Sequence, residues 1–263
     1  MSAYLGRRGF EQLRRQLSER DLAVIHSVQE HRFLTARQIE ELHFADHATE
    51  LAGARVCRRV LARLNKERLL IRLSRRLGGV RAGSSSFVYA VGTVGSRLLD
   101  HGRRFTEPSA LFLDHTLAVA EAHLQLIRAA RVGALELVRV EIEPVCWRRY
   151  IRPSGASEIV RPDLYVVTGW GDVEECCWAL EIDRGTESPA ALTRKCRAYE
   201  TYWRSGREQE ARGTFPLVVW VALDEGRERQ IKRIIGAVRN LKRELFRVTS
   251  DEGLAGLLAG GAG

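Results

Sequence analysis

Arg161-Pro162-Asp163-Leu164-Tyr165-Val166-Val167-Thr168, followed by Cys176-Cys177-Trp178-Ala179-Leu180-Glu181-Ile182-Asp183, decides the fold of this chain. Both runs have the apolar, β-branched and aromatic content of strands, the first spanning Ile159 to Thr168 and the second Cys176 to Asp183. Strand side chains alternate, so Glu181 and Asp183 share one face with Cα atoms roughly 6.6–6.8 Å apart, while Trp178, Leu180 and Ile182 share the other. Two acids on one strand face beside Asp163 form a set that could hold a hard divalent cation such as Mg²⁺ or Mn²⁺.

Working outward, a long amphipathic helix is expected from Ser109 to Arg131, with Leu113, Leu117, Ala120, Leu124 and Ile127 at helical spacing and Glu121 outside that stripe. A strand is expected over Leu135–Ile142. After the carboxylate strands come a helix from about Pro189 to Arg204, the apolar strand Leu217–Leu223, a helix over Arg227–Lys242 and a strand over Phe246–Thr249. An apolar run such as Leu217-Val218-Val219-Trp220-Val221-Ala222-Leu223 belongs to a sheet interior covered on both faces. The Gly/Ala tail, Gly260 to Gly263, is expected to fray.

The front of the chain reads differently. After a short basic leader, Ser18-Glu19-Arg20-Asp21 places a capping residue three positions before an acid and opens a helix with Leu22, Ile25 and Val28 on one side. Thr35-Ala36-Arg37-Gln38 is a second such signal, with Ile39 and Leu42 as buried positions. A third helix, about Ala48 to Lys66, has Cys57, Val60, Leu61 and Leu64 on one face and Arg55, Arg59, Arg63 and Lys66 nearly opposite. Two strand-like runs follow, Leu69–Leu73 and Phe87–Val91, joined by a Gly/Arg/Ser loop. Thr93–His101 reads as a short helix, and Gly102–Pro108 as a connector between domains 1–105 and 106–263.

Charge separates the two parts. The chain of 263 residues holds 42 basic and 33 acidic side chains, a net +9. Residues 1–105 contain 20 basic and 10 acidic side chains, against 22 and 23 afterwards, so the whole excess lies in front. Ten basic residues and one acid, Glu67, fall between Arg55 and Arg81, as expected of a phosphate-binding surface. A solvated arginine-rich face would give the same count.

Three helices followed by a hairpin with a basic tip resemble a winged helix-turn-helix, in which the third helix enters the major groove. That resemblance implies DNA contacts from Arg55, Arg58, Arg59 and Arg63, and phosphate contacts from Arg75, Arg76 and Arg81 in the wing. Pro162-Asp163 early in one strand, with Glu181 and a charged residue two positions on in the next, resembles the PD-(D/E)xK nuclease superfamily. The run Ala179-Leu180-Glu181-Ile182-Asp183-Arg184-Gly185-Thr186-Glu187, followed by a helix reaching Tyr199, is most similar to the replication-relaxation family, linked to plasmid and mobile-element DNA.

These resemblances imply an α/β chain of two domains. A winged helix-turn-helix would precede a restriction-endonuclease-like αβββαβ core with a mixed sheet. They imply a DNA-binding protein acting in replication, mobilisation or DNA relaxation, with metal-dependent nicking or cleavage as its chemistry. Asp163 and Glu181 would be metal ligands, with Asp183 and Glu121 as further candidates; Lys195 or Arg184 would supply the cation. Asp183 stands where the superfamily usually has lysine.

In the competing reading Asp163 caps a turn, Glu181 and Asp183 pair with Arg161, Arg184 or Arg194, and the second domain serves dimerisation or partner docking without cutting DNA. DNA is the expected partner, with other replication or mobilisation proteins and a second copy of the chain as further ones.

Other chemistries lack their motifs. No Gly-x-x-x-x-Gly-Lys phosphate loop occurs. No two histidines are separated by one residue, and His43 and His47, though spaced for zinc, have no evident third ligand. The cysteines at 57, 146, 176, 177 and 196 form no Cys-x-x-Cys pair and read as reduced, buried thiols. No run approaches the length of a membrane span, so a cytoplasmic location is expected.

Overall fold

A computed structural model describes residues 6–77, 86–100, 105–152, 155–170 and 174–260. The chain forms two compact units, Met1–Leu117 and Ala118–Gly263. Their boundary falls inside a helix rather than in the connector before it.

The first unit opens with α1 (Arg7–Gln16), where the sequence showed only a basic leader, and α2 (Glu19–His31). Both capping boxes expected from the sequence form. Ser18 accepts from the Asp21 amide while Asp21 accepts from that of Ser18, and Thr35 and Gln38 do the same for α3 (Ala36–His43). Before α3 lies the two-residue strand β1 (Leu34–Thr35).

Next comes α4 (Glu50–Lys66), which buries Cys57, Leu61 and Leu64, so its apolar stripe faces inward as its periodicity requires. Gly53 lets α4 approach closely, since a Cβ there would lie 2.7 Å from the Phe44 carbonyl oxygen. Strands β2 (Leu70–Leu77) and β3 (Ser86–Val91) form the hairpin, and β1 pairs with β3 to make a three-stranded sheet ordered β1-β3-β2. After α5 (Thr93–Leu98), the start of α6 (Ala110–Arg131) contributes Leu113 and Leu117 to a core with Phe33, Leu73, Val88 and Ala90.

The second unit is a mixed five-stranded sheet, ordered β10-β9-β8-β7-β4, between two helical layers. Its strands are β4 (Glu136–Ile142), β7 (Leu164–Trp170), β8 (Glu174–Asp183), β9 (Leu217–Ala222) and β10 (Phe246–Ser250). Neighbours β4, β7 and β8 pair antiparallel, while β8, β9 and β10 pair parallel and are joined through α7 (Pro189–Arg204), α8 (Arg207–Arg212) and α9 (Glu225–Ala237). Alternation sorts β8 as expected. Trp178, Leu180 and Ile182 pack with Val119, Ala122 and Leu126 of α6 and with Leu254 and Leu258 of α10 (Leu254–Ala259). On the other face Ala179, Val218, Trp220 and Ala222 pack with Leu192, Cys196 and Tyr199 of α7 and Ile231 and Ile235 of α9.

The structure corrects one strand. The run Ile159–Thr168 is broken at Arg161-Pro162-Asp163, so that β6 (Ser157–Val160) pairs with β5 (Arg148–Ile151) in a separate hairpin and only Leu164 onward joins the main sheet. Proline supplies no amide donor at the break. The Asp163 amide donates to the Leu180 carbonyl at 2.9 Å, and the Cys146 thiol lies 3.0 Å from the Pro162 carbonyl oxygen. All five cysteines are free.

Candidate functional site

Asp163, Glu181 and Asp183 lie at one end of the sheet, on the face covered by α7 and α9, and all three are buried. Each has protein partners. One Asp163 carboxylate oxygen accepts from the Ile182 amide at 2.7 Å, satisfying a β8 donor where β7 has just begun. Glu181 accepts from Lys195 Nζ at 2.8 Å on one oxygen and from the Tyr199 hydroxyl at 2.5 Å on the other. Asp183 is held by two parallel bonds from Arg227, at 2.9 Å from Nε and 2.8 Å from Nη2, and also accepts from the Gly185 amide at 2.6 Å. Gly185 has φ +79°, a conformation glycine adopts without strain.

Two further contacts close the cluster. Lys195 also bonds the Glu187 carboxylate, and Arg227 Nη2 donates to the Glu187 carbonyl at 2.7 Å. The turn between β8 and α7 is thereby tied to both cations. Ser188 caps α7 through the Ala191 amide, and Pro189 starts it, which sets the helix phase that brings Lys195 and Tyr199, one turn apart, over Glu181.

Burial pushes the Glu181 carboxyl up to about 7; the Asp163 charge adds to the rise and Lys195 opposes it. Lys195 is less enclosed. Burial works against its charge, but Glu181 and Glu187 outweigh that and hold the ammonium above its ordinary range. The Tyr199 hydroxyl is raised well above its usual value by burial and by Glu181, so it remains a donor.

The other proposed ligand is elsewhere. Glu121 is on α6, which covers the opposite sheet face, and pairs with Arg128 at 2.8 Å. Among the described residues no group of three or more His, Cys, Asp or Glu is placed to hold a metal ion. The partner of Asp183 is Arg227 and not Arg161, Arg184 or Arg194, and nothing in the local sequence announces a guanidinium 44 positions away. Tyr199 was legible from its spacing to Lys195. Glu187 had no signal beyond its charge.

On α4 the proposed DNA-contacting residues divide. Arg55, Arg58 and Arg59 are exposed on its outer side, beside the exposed Leu51 and Ala52. Arg63 is drawn inward, with Nη2 bonding the buried Asp21 at 2.5 Å and Nη1 lying 3.6 Å from Glu67. Asp21 thus completes a helix cap and also anchors α4. Arg75 and Arg76 stand in β2, but the side chains there, like all of Arg81, lie outside the described residues. His43 bonds the Ser27 hydroxyl at 3.0 Å, and His47 lies 3.5 Å from Asp46.

The profile of replication-relaxation proteins matches residues 25–218, about three quarters of the chain. The chain belongs to the replication-relaxation family. No curated protein and no solved structure matches it. The matched span of this replication-relaxation protein runs from α2 into β9 and includes the outer face of α4, the three sheet carboxylates and Lys195. Arg227 lies beyond it. No helix among the described residues is long and apolar enough to cross a membrane.

Proposed function

We propose that this replication-relaxation protein is a DNA-binding protein of a plasmid or other mobile element, acting in replication, mobilisation or relaxation. Its first unit is a winged helix-turn-helix that grips duplex DNA through α4. The observation that carries this reading is the outer face of α4, where Arg55, Arg58 and Arg59 are exposed on a helix followed by the β2–β3 hairpin. Exposed guanidiniums on a rigid helix suit phosphate and guanine recognition.

Replacing Arg55 and Arg59 together by Ala should weaken duplex binding and lower the log–log salt slope by about 1.8, roughly 0.9 for each phosphate left unneutralised. Affinity titrations between about 50 and 200 mM salt measure it. An unchanged slope places the duplex surface elsewhere.

For the second unit the arrangement favours a docking or dimerisation role, because Arg227 occupies Asp183 and Lys195 occupies Glu181. The nuclease reading is supported by the pairing of Asp163 and Glu181 with a lysine beside them. In it, Asp163 and Glu181 would hold Mg²⁺ or Mn²⁺, which lowers the pKa of an attacking water, and Lys195 would move from Glu181 toward the developing charge. Asp183, clamped by Arg227, does not fit as a third ligand. Nicking of supercoiled plasmid with and without Mg²⁺ or Mn²⁺ separates the two. Activity in the wild type that is lost in Asp163→Asn establishes the nuclease, and none in either removes that reading.

A further inference from the structure

The hairpin that the broken strand creates has two unlike faces. Tyr150 and Val160 point inward, packing with Cys196 and Tyr199 of α7, and the Tyr150 hydroxyl bonds Glu158 and lies 3.3 Å from the Ala198 carbonyl oxygen. Register pairs Arg148 with Val160 and Arg149 with Ile159, so the outward set is Arg149, Ile151, Ser157 and Ile159. Just beyond the paired residues Trp147 and Arg161 come together, with the Arg161 guanidinium 5.2 Å from the centre of an indole ring that itself packs against Cys146, Tyr165 and Val167. Arg149, Ile151 and Arg161 are exposed, and Trp147 is half-buried with its indole nitrogen turned inside.

Among the described residues neither Arg149 nor Arg161 has an acidic partner. There, Arg149 meets the Ser157 hydroxyl at 3.5 Å, and Arg161 meets Trp147. That contrasts with Arg148 and Arg152 of the same hairpin, which bond Glu141 and Glu158.

We propose that this surface, Arg149 with Ile151 and Ile159 on the hairpin's outer face and Arg161 on Trp147 beside it, binds an unpaired DNA strand. An unpaired strand offers two things at once, phosphates for the guanidiniums and base faces to stack on Arg161 and its indole support. A peptide with acidic side chains would meet the charges but leave the stacked surface without a planar partner. A duplex keeps its base faces hidden. Arg161 is two residues from Asp163, with only the buried Pro162 between. The proposal rests on the reading of the chain as a DNA-binding protein, but it assigns a second surface for a second form of DNA.

The test is fluorescence anisotropy of a labelled oligodeoxythymidylate with the full chain, alongside a labelled duplex. Arg149→Ala/Arg161→Ala should lose roughly tenfold in strand affinity and lower the salt slope by about 1.4, roughly 0.7 for each phosphate on a single strand. Its duplex affinity should be unchanged, and circular dichroism and melting should match wild type because both side chains are exposed. Arg161→Lys should keep the slope but lose affinity, since lysine retains the charge without the plane.

Wild-type protein that binds no unpaired strand overturns the proposal, as does a double variant with unchanged strand affinity. Equal losses on strand and duplex also overturn it, by making the hairpin part of the duplex surface. In the first two cases a duplex affinity that still depends on Arg55 and Arg59 leaves the function proposed above standing.

Discussion

The outer face of α4 and the α7-covered face of the sheet both concentrate charge, and they handle it in opposite ways. On α4 the charge is of one sign and open to solvent, with Arg55, Arg58 and Arg59 all exposed. On the sheet it is of two signs and matched, each of Glu181 and Asp183 bonded to one cation from a different helix. Open charge of one sign is satisfied by solvent and free to meet a partner; enclosed, matched charge already has one. Arg63 and Asp21 bring the second pattern into the first unit, since an arginine on the basic helix there serves as an internal tie.

The strongest way to break the comparison is Arg227→Ala. It leaves Asp183 buried without its cation, and removing one partner of a buried pair typically costs about 3–5 kcal/mol. Urea denaturation measures it, and a loss under about 1 kcal/mol, the scale of an exposed pair, would mean that Asp183 is solvated or protonated. Asp183→Lys alone sets two cations against each other and should be at least as damaging. The swap Asp183→Lys/Arg227→Glu restores opposite charges in reversed order and should recover part of the stability.

Next in size is a pH effect from Glu181. Its carboxyl is raised to about 7 from an ordinary 4.5, so between those values the folded state holds the proton more firmly than the unfolded chain. Its contribution to stability is greatest below about pH 4.5 and falls as pH rises to about 7, by up to about 3 kcal/mol at roughly 1.36 kcal/mol per unit. Glu181→Gln should flatten that part of the profile between about pH 5 and 8. A wild-type profile that rises over the same interval, with Glu181→Gln parallel to it, would show Glu181 ionised throughout.

A smaller effect sharpens the comparison within one helix. Arg63→Ala strands the buried Asp21 and should cost roughly 1–3 kcal/mol, whereas Arg55→Ala and Arg59→Ala, on the exposed side, should stay within about 0.5 kcal/mol. The ordering on duplex DNA should be reversed, with Arg63→Ala the mildest of the three. Melting and binding measured on the same three variants check both halves.

Legibility in the sequence falls with the range of the interaction. Capping at Ser18 and Thr35, the stripe on α4 and the two faces of β8 are local patterns, set within a few residues, and they form as expected. The helix face on α6 was less legible. The expected stripe Leu113, Leu117, Ala120 and Leu124 is buried, but Val119, Ala122 and Leu126, outside it, join the core of the second unit as well, because a helix covered over more of its circumference buries residues that a single stripe does not pick out. The clamps on Asp21 and Asp183 join residues 42 and 44 positions apart, and periodicity carries no information at that distance. Pro162 is the local signal of the break before Leu164, which reading Ile159–Thr168 as one strand passed over, and the pairing of β6 with β5 depends on where the turn at Glu143–Trp147 returns the chain.

The same break sets a length as well as a direction. Arg161, Pro162 and Asp163 are consecutive, yet their side chains go to the Trp147 indole beside the hairpin, the interior and the carboxylate cluster in turn. Three residues span at most about 10 Å, so the two functional candidates are joined by a segment too short to absorb slack. A single inserted residue between them would turn one side chain to the wrong side. Loop length here should tolerate no drift, even where the identities of neighbouring residues are free to change.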